Sequence, residues 1–225
     1  GMHAGEYQSE RIHSDSMRFQ LKDVKAQCAR LISRWFELSH ELGEILGLFY
    51  NTLHTPHMYL EYEFLSVMQA LEAYHRFRKN NCENPPEEHE KRLDEILKAV
   101  PEPHKCWLKE KLAFSNEPSL HKRLRELLDN HYLVMADLVG STDDSINRFV
   151  TRVKDTRNYL IHHNDRLRNK VLTGAQLFSA TRVLIFLFEA CLLEDLGFSE
   201  ESINRMFRPS PRYQHEVRRS RNLTS

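Results

Sequence analysis

Glycine is scarce, at 7 among 225 residues, and nowhere do apolar and polar residues alternate over a sustained stretch. A β-sandwich or barrel draws on both features, because its many turns use glycine and its half-buried strands repeat at two. No apolar run approaches the roughly eighteen residues of a bilayer-spanning helix, so no membrane segment is expected. The cysteines, Cys28, Cys82, Cys106 and Cys191, stand far apart and fit neither a disulfide framework nor a zinc site of paired cysteines. With a polar N-terminal stretch through Ser16 and no apolar signal region, that spacing points to a reducing, cytoplasmic setting. Net charge is lacking too: 32 basic residues balance 32 acidic ones, and any attraction for a polyanion must come from local clustering. There is no glycine-rich phosphate loop and no serine elbow, and no cofactor is expected.

What is present is helical periodicity. Apolar residues recur at three and four through almost every segment, and a hydrophobic content of 40% with 10% aromatics suffices for a core. The expectation is an all-α helical bundle with peripheral short helices. Helices are placed at about 21–53, divided near Gly43 and Gly47, and then at 57–79, 87–100, 107–114, 120–139, 142–162 and 174–196, with a last short one after Ser199. Ser141 with Asp144, and Thr173 with Gln176, have the form of capping boxes. The stretch LIFLFEACLLEDL within 174–196 is too apolar for a solvent face, yet reads as too short and too charged to span a membrane. It is expected to lie inside the bundle or at a dimer interface. The aromatic residues Phe64, Tyr74, Phe186 and Phe188 are expected in the core. A glycine ahead of the first methionine resembles a tag scar, so residues 1–20 are read as a disordered N-terminus. Residues 21–207 form a single helical domain, and 208–225, with Pro209 and Pro211, a flexible basic tail.

Charge is uneven along the chain. Between Arg148 and Lys170 seven basic residues (Arg148, Arg152, Lys154, Arg157, Arg166, Arg168, Lys170) face Asp155 and Asp165, and from Arg205 onward six arginines face only Glu216. Either stretch can be a plain solvated face, but two of them beside histidines point to a polyanion such as RNA, with Arg166, Arg168 and Lys170 as candidate contacts. On a wheel centred at Ile146, at about 100° per residue, Phe149, Val150, Val153, Leu160 and Ile161 form an apolar stripe, and Arg157 falls near its centre. A guanidinium keeps its proton, so at a buried seam it needs a carboxylate partner or a cleft that receives an anion. Glu72 and His75, on the helix at 57–79, are the candidates to partner it. Asp155, Asn158 and His162 share a polar side of the Arg157 helix, with His163 next to them. Arginine with histidine is the smallest set able to cut a phosphodiester without metal: the fork neutralises phosphate while imidazole moves a proton near neutral pH.

The run Val153-Lys154-Asp155-Thr156-Arg157-Asn158-Tyr159-Leu160-Ile161-His162-His163-Asn164 resembles the signature segment of HEPN domains, in which arginine, a polar residue and three variable positions precede histidine. More narrowly it is similar to the ApeA-like branch, which also carries segments like YLEYEFLSVMQALEAYHR (Tyr59 to Arg76) and LLEDLGF (Leu192 to Phe198). The likeness runs from about Tyr59 to Phe207. It implies a helical bundle that dimerises so that two motifs face one RNA-cleaving cleft, with Arg157, Asn158 and His162 at the motif positions. His163 has no fixed role there. It also implies a metal-independent endoribonuclease of a defence or toxin system, although some members only bind. Such domains usually follow a sensing domain, and the stretch before Tyr59 is too short for one, so the trigger is expected elsewhere, on a partner protein or a further domain.

A metal reading of His54 with His57, or of His162 with His163, lacks an acid or cysteine at ligand spacing, and no metal is expected. Two function classes stay open: an endoribonuclease leaving a 2',3'-cyclic phosphate, and a non-catalytic module that binds RNA, a nucleotide or a protein through the same seam.

Overall fold

Apolar spacing at three and four without strand signals folds into helices alone. The computed structural model describes residues 19–20, 24–55, 58–79, 81–220 and 223, and among them there is no strand. In chain order the α-helices are α1 (Cys28–Glu41), α2 (Gly43–His54), α3 (Leu60–Arg78), α4 (Pro86–Ala99), α5 (Glu102–Lys111), α6 (Leu120–Asn130), α7 (Tyr132–Val139), α8 (Asp143–His162), α9 (Gly174–Asp195), α10 (Glu200–Phe207) and α11 (Pro211–Ser220). Residues 1–18, expected to be disordered and to carry the scar, lie outside the described residues.

Helix α9 is the axis. Leu177, Ala180, Val183, Leu184, Phe186, Leu187, Phe188 and Cys191 bury every side of it, and a helix apolar all round has to be surrounded. Helix α3 packs along it with Phe64, Val67, Met68, Leu71 and Tyr74 buried, while α11, α7, α10 and α6 cover other sides. At 22 residues α9 is long and apolar enough to cross a bilayer, contrary to the expectation that it is too short, but 78% of its apolar window is buried inside the bundle. Most of its hydrophobic surface is thus covered within one chain.

Several boundaries differ from those read in the sequence. The first long stretch divides at Leu42, the last residue before α2, and both Gly43 and Gly47 lie inside α2. At the start of α8 the capping box is Thr142 with Ser145, one residue later than Ser141 with Asp144, and Asp143 and Asp144 instead place negative charge at the helix N-terminus. Thr173 precedes α9 but makes no side-chain cap. Helices α4 and α5 have no fully buried residue and pack on each other as a hairpin. Its base is closed by reciprocal bonds, Asn84 N–H to Asn116 Oδ1 and Asn116 Nδ2 to Asn84 O, both 3.0 Å.

The segment expected to be a loose tail is a correction of more consequence. Residues 211–220 form α11, with proline at the first position, where its missing N–H costs nothing. Tyr213, Glu216 and Ser220 are buried, spaced by three and four as a helix face requires. The Tyr213 hydroxyl donates to Val134 O at 2.5 Å, and its ring stands edge-on to Phe186 and Phe207. This stripe is largely polar, so it escapes a search for apolar periodicity.

Tyr213→Ala removes an aromatic ring from a filled site and is expected to cost about 3–5 kcal/mol in urea unfolding, whereas a loose tail would leave the midpoint unchanged. His131, between α6 and α7, is 1% exposed, and burial pushes its imidazole down to about 4. Below the ordinary value of about 6.5 the unfolded chain takes up a proton that the folded chain refuses until about pH 4, so stability falls as pH drops through that window, by about 3 kcal/mol at full extent. A His131→Leu variant is expected to lose that part of the pH dependence; parallel stability curves for the two proteins between pH 7 and 4 would refute it.

Candidate functional site

Helix α8 carries the arginine-to-histidine segment over its last two turns. Ile146, Phe149, Val150, Val153 and Thr156 are its buried residues. The buried arc is therefore turned toward Thr156 relative to a stripe centred on Ile146, leaving Leu160 half-buried and Ile161 45% exposed. Arg157 consequently stands at the rim of the seam, with 26% of its side chain exposed. Its Nη2 donates to Glu72 Oε2 of α3 at 3.3 Å, and its Nη1 to Asn158 Oδ1 at 3.3 Å. The fork is held from two sides while one edge still meets solvent.

The other candidate on α3 serves elsewhere. His75 is fully buried, with Nε2 2.7 Å from Glu126 and Nδ1 3.2 Å from Arg123 Nη1. Arg123 has only donors, so His75 Nδ1 accepts and Nε2–H donates to Glu126. Burial holds the His75 pKa below its ordinary value, against the opposing pull of Glu126. Asp155 pairs with its neighbour Lys154 at 3.3 Å rather than with His162. His162 is exposed at the last position of α8. His163 is the cap: its backbone is left-handed, with φ of 49°, its N–H bonds Tyr159 O at 2.7 Å, and its ring stands edge-on to Tyr159. Asn164 Oδ1 then accepts from Arg166 N at 3.2 Å and opens the short 3-10 turn Asp165–Leu167. Arg166, Arg168 and Lys170 are exposed on and after this turn, next to the end of α8.

Thr156 is the residue that sequence reasoning missed. It is fully buried, its hydroxyl donates to Arg152 O at 2.7 Å, and it accepts from Leu172 N at 2.9 Å. It thereby ties the end of the basic loop back to the turn bearing Arg157. No local pattern signals this bond, because the partner is a backbone N–H sixteen residues away. Among the described residues no group of three ligating side chains could hold a metal, and His57, suggested as a partner of His54, lies outside them.

An all-helical bundle with an arginine-polar-x3-histidine segment closing one helix is the arrangement that the resemblance to HEPN domains implies. The profile of the Apea-like HEPN family matches residues 65–202, more than half of the chain, and spans most of α3 and all of α8 and α9. The chain belongs to the ApeA-like HEPN family. Comparison with curated proteins and with solved structures gives no match.

Thr156→Val, which keeps the shape and removes the hydroxyl, is expected to leave the Leu172 N–H buried and unpaired at a cost of about 1–3 kcal/mol. Hydrogen exchange at the Leu172 amide should accelerate beyond that of α8 itself; unchanged protection there would show that Thr156 does not anchor the loop.

Proposed function

We propose that this domain is a metal-independent endoribonuclease of the HEPN type, acting in a defence or toxin system. The observation that carries the reading is the Arg157 fork, held at a partly open rim by Glu72 and Asn158 and followed on the same helix by exposed His162 and by the basic loop of Arg166, Arg168 and Lys170. In this reading the basic loop takes RNA phosphates, and Arg157 meets the scissile one through its bidentate fork. His162 takes the proton from the 2'-hydroxyl or gives one to the departing 5'-oxygen, Asn158 orients the fork, and the products end in a 2',3'-cyclic phosphate and a 5'-hydroxyl. Asn158 and His162 are four residues apart and share a side of α8, whereas His162 lies five residues beyond Arg157, about 140° around the helix and about 7.5 Å along it. That divergence supports a cleft shared by two copies, with the arginine of one motif near the histidine of the other.

A second reading has an observation of its own. Arg157 already has a carboxylate partner in Glu72, as a structural guanidinium requires, and a binding module that never cleaves would look the same. Purified wild-type chain is expected to cut single-stranded RNA in the presence of EDTA and to leave cyclic phosphate ends, and His162→Ala to abolish cutting while keeping its mass by light scattering. Full cleavage by a folded His162→Ala protein would end the assignment at this site. Binding without cleavage by wild type, lost in Arg157→Ala, would install the binding module in its place.

A further inference from the structure

The groove between α9 and α11 is not part of the site at Arg157. It has a volume of 310 Å³. It adjoins α3 through Arg182 and Glu63, and Glu63 lies nine residues from Glu72, which places the two carboxylates about 180° apart on α3 and about 14 Å apart along its axis. Helix α9 gives the groove Phe178, Arg182 and Phe186 at four-residue steps, and α11 gives it Arg212, His215 and Arg219 at steps of three and four. The helices run antiparallel, so that Arg219 covers the Phe178 ring at 4.7 Å and Arg212 the Phe186 ring at 5.2 Å, with Arg182 also on Phe178 at 5.0 Å. A guanidinium over a ring face is attracted by the ring and keeps N–H donors for an anion.

Countercharge in the groove is incomplete. Glu63 takes Arg182 at 2.5 Å, and Glu189 takes one nitrogen of Arg212 at 3.3 Å. Glu216, the one acid lining the groove, is buried and accepts from the Ser179 hydroxyl. Arg219 has no carboxylate partner among the described residues, and Arg182 Nε is buried without a hydrogen bond. A neighbouring cavity of 340 Å³ shares Arg219 and adds Arg218, so the positive edge continues past the groove.

We infer that this groove binds a small phosphomonoester with an aromatic or heteroaromatic ring. Arg212, Arg219 and His215 take the phosphoryl oxygens, and the ring lies against the Phe178 and Phe186 side chains that line the groove. Paired forks match a tetrahedral dianion with three acceptor oxygens better than they match a carboxylate. The volume is at the low end of ligand pockets, about 300–1,000 Å³, which suits a small molecule. The inference does not rest on RNA cleavage at Arg157.

Calorimetric titration of the full chain tests it, with phenyl phosphate, inorganic phosphate, phenol and a single-stranded RNA oligonucleotide without terminal phosphates as probes. Phenyl phosphate is expected to bind saturably, inorganic phosphate to compete with it, and phenol not to bind. Arg219→Gln, at an exposed position, should weaken phenyl phosphate binding by about tenfold or more, while Arg157→Gln leaves it unchanged. Absence of phenyl phosphate binding overturns the inference, as does an Arg219→Gln protein that binds like wild type, or loss of binding in Arg157→Gln. Binding of the oligonucleotide alone, weakened by Arg219→Gln, would make the groove a path for a nucleic-acid strand and would overturn the small-ligand assignment.

Discussion

Charge matching along α3 is the constraint on which the arrangement of the bundle depends. Helix α3 is buried against α9, yet it carries Glu63, Glu72, His75 and Arg78. Each meets a complementary group on another helix: Glu63 with Arg182 of α9, Glu72 with Arg157 of α8, His75 with Glu126 of α6, and Arg78 with Asp195 at the end of α9. Glu63 and His75 are buried and Glu72 and Arg78 partly so, and sliding α3 by one turn would leave several of these polar groups without partners at once. Apolar contacts alone tolerate such slides far better, since one aliphatic surface resembles another. The polar pairs therefore fix the register, and the apolar surface supplies most of the driving force.

Arg157 belongs to this set before it belongs to any chemistry. The carboxylate that lets a guanidinium sit at the rim of a seam also aims its fork, because Glu72 holds Nη2 and Asn158 holds Nη1. Support and orientation come from the same two bonds. A longer or shorter residue at 72 would alter both, which ties any function of Arg157 to the packing of α3 on α8.

Much of this was legible in the sequence where one period and one residue type carried the signal. Helical spacing announced the all-α fold, the continuous apolarity of LIFLFEACLLEDL announced a helix covered by the bundle or by a second copy, and an arginine amid Phe149, Val153 and Leu160 called for a carboxylate partner or an anion-receiving cleft; the bundle covers the first and Glu72 pairs with the second. What escaped had a different physical basis. Helix α11 is anchored by Tyr213 and Glu216, whose polar atoms find buried partners only once α7 and α9 are in place, while the buried Ser220 donates within α11 to Val217 O. Apolar periodicity is blind to such a face. Thr156 escaped because its value lies in a bond to a backbone N–H across the loop. The wheel centred on Ile146 also missed by a fraction of a turn, since it gave Ile161 and the buried hydroxyl of Thr156 the weights of apolar and polar residues and could not see which was covered.

The end of α8 shows how little freedom the basic loop has. A helix that stops must satisfy its last carbonyls, and here His163 does so in a left-handed conformation that non-glycine residues adopt at some cost. That conformation turns the chain sharply away from the axis. Asn164 then closes the next turn through the Arg166 N–H, and eight residues later the Leu172 N–H is caught by Thr156. The segment with Arg166, Arg168 and Lys170 is thus pinned at both ends to the turns that carry Arg157 and His162. Positive charge presented in this way is set in place by α8 itself, so its position relative to the Arg157 fork follows from one helix and two hydrogen bonds.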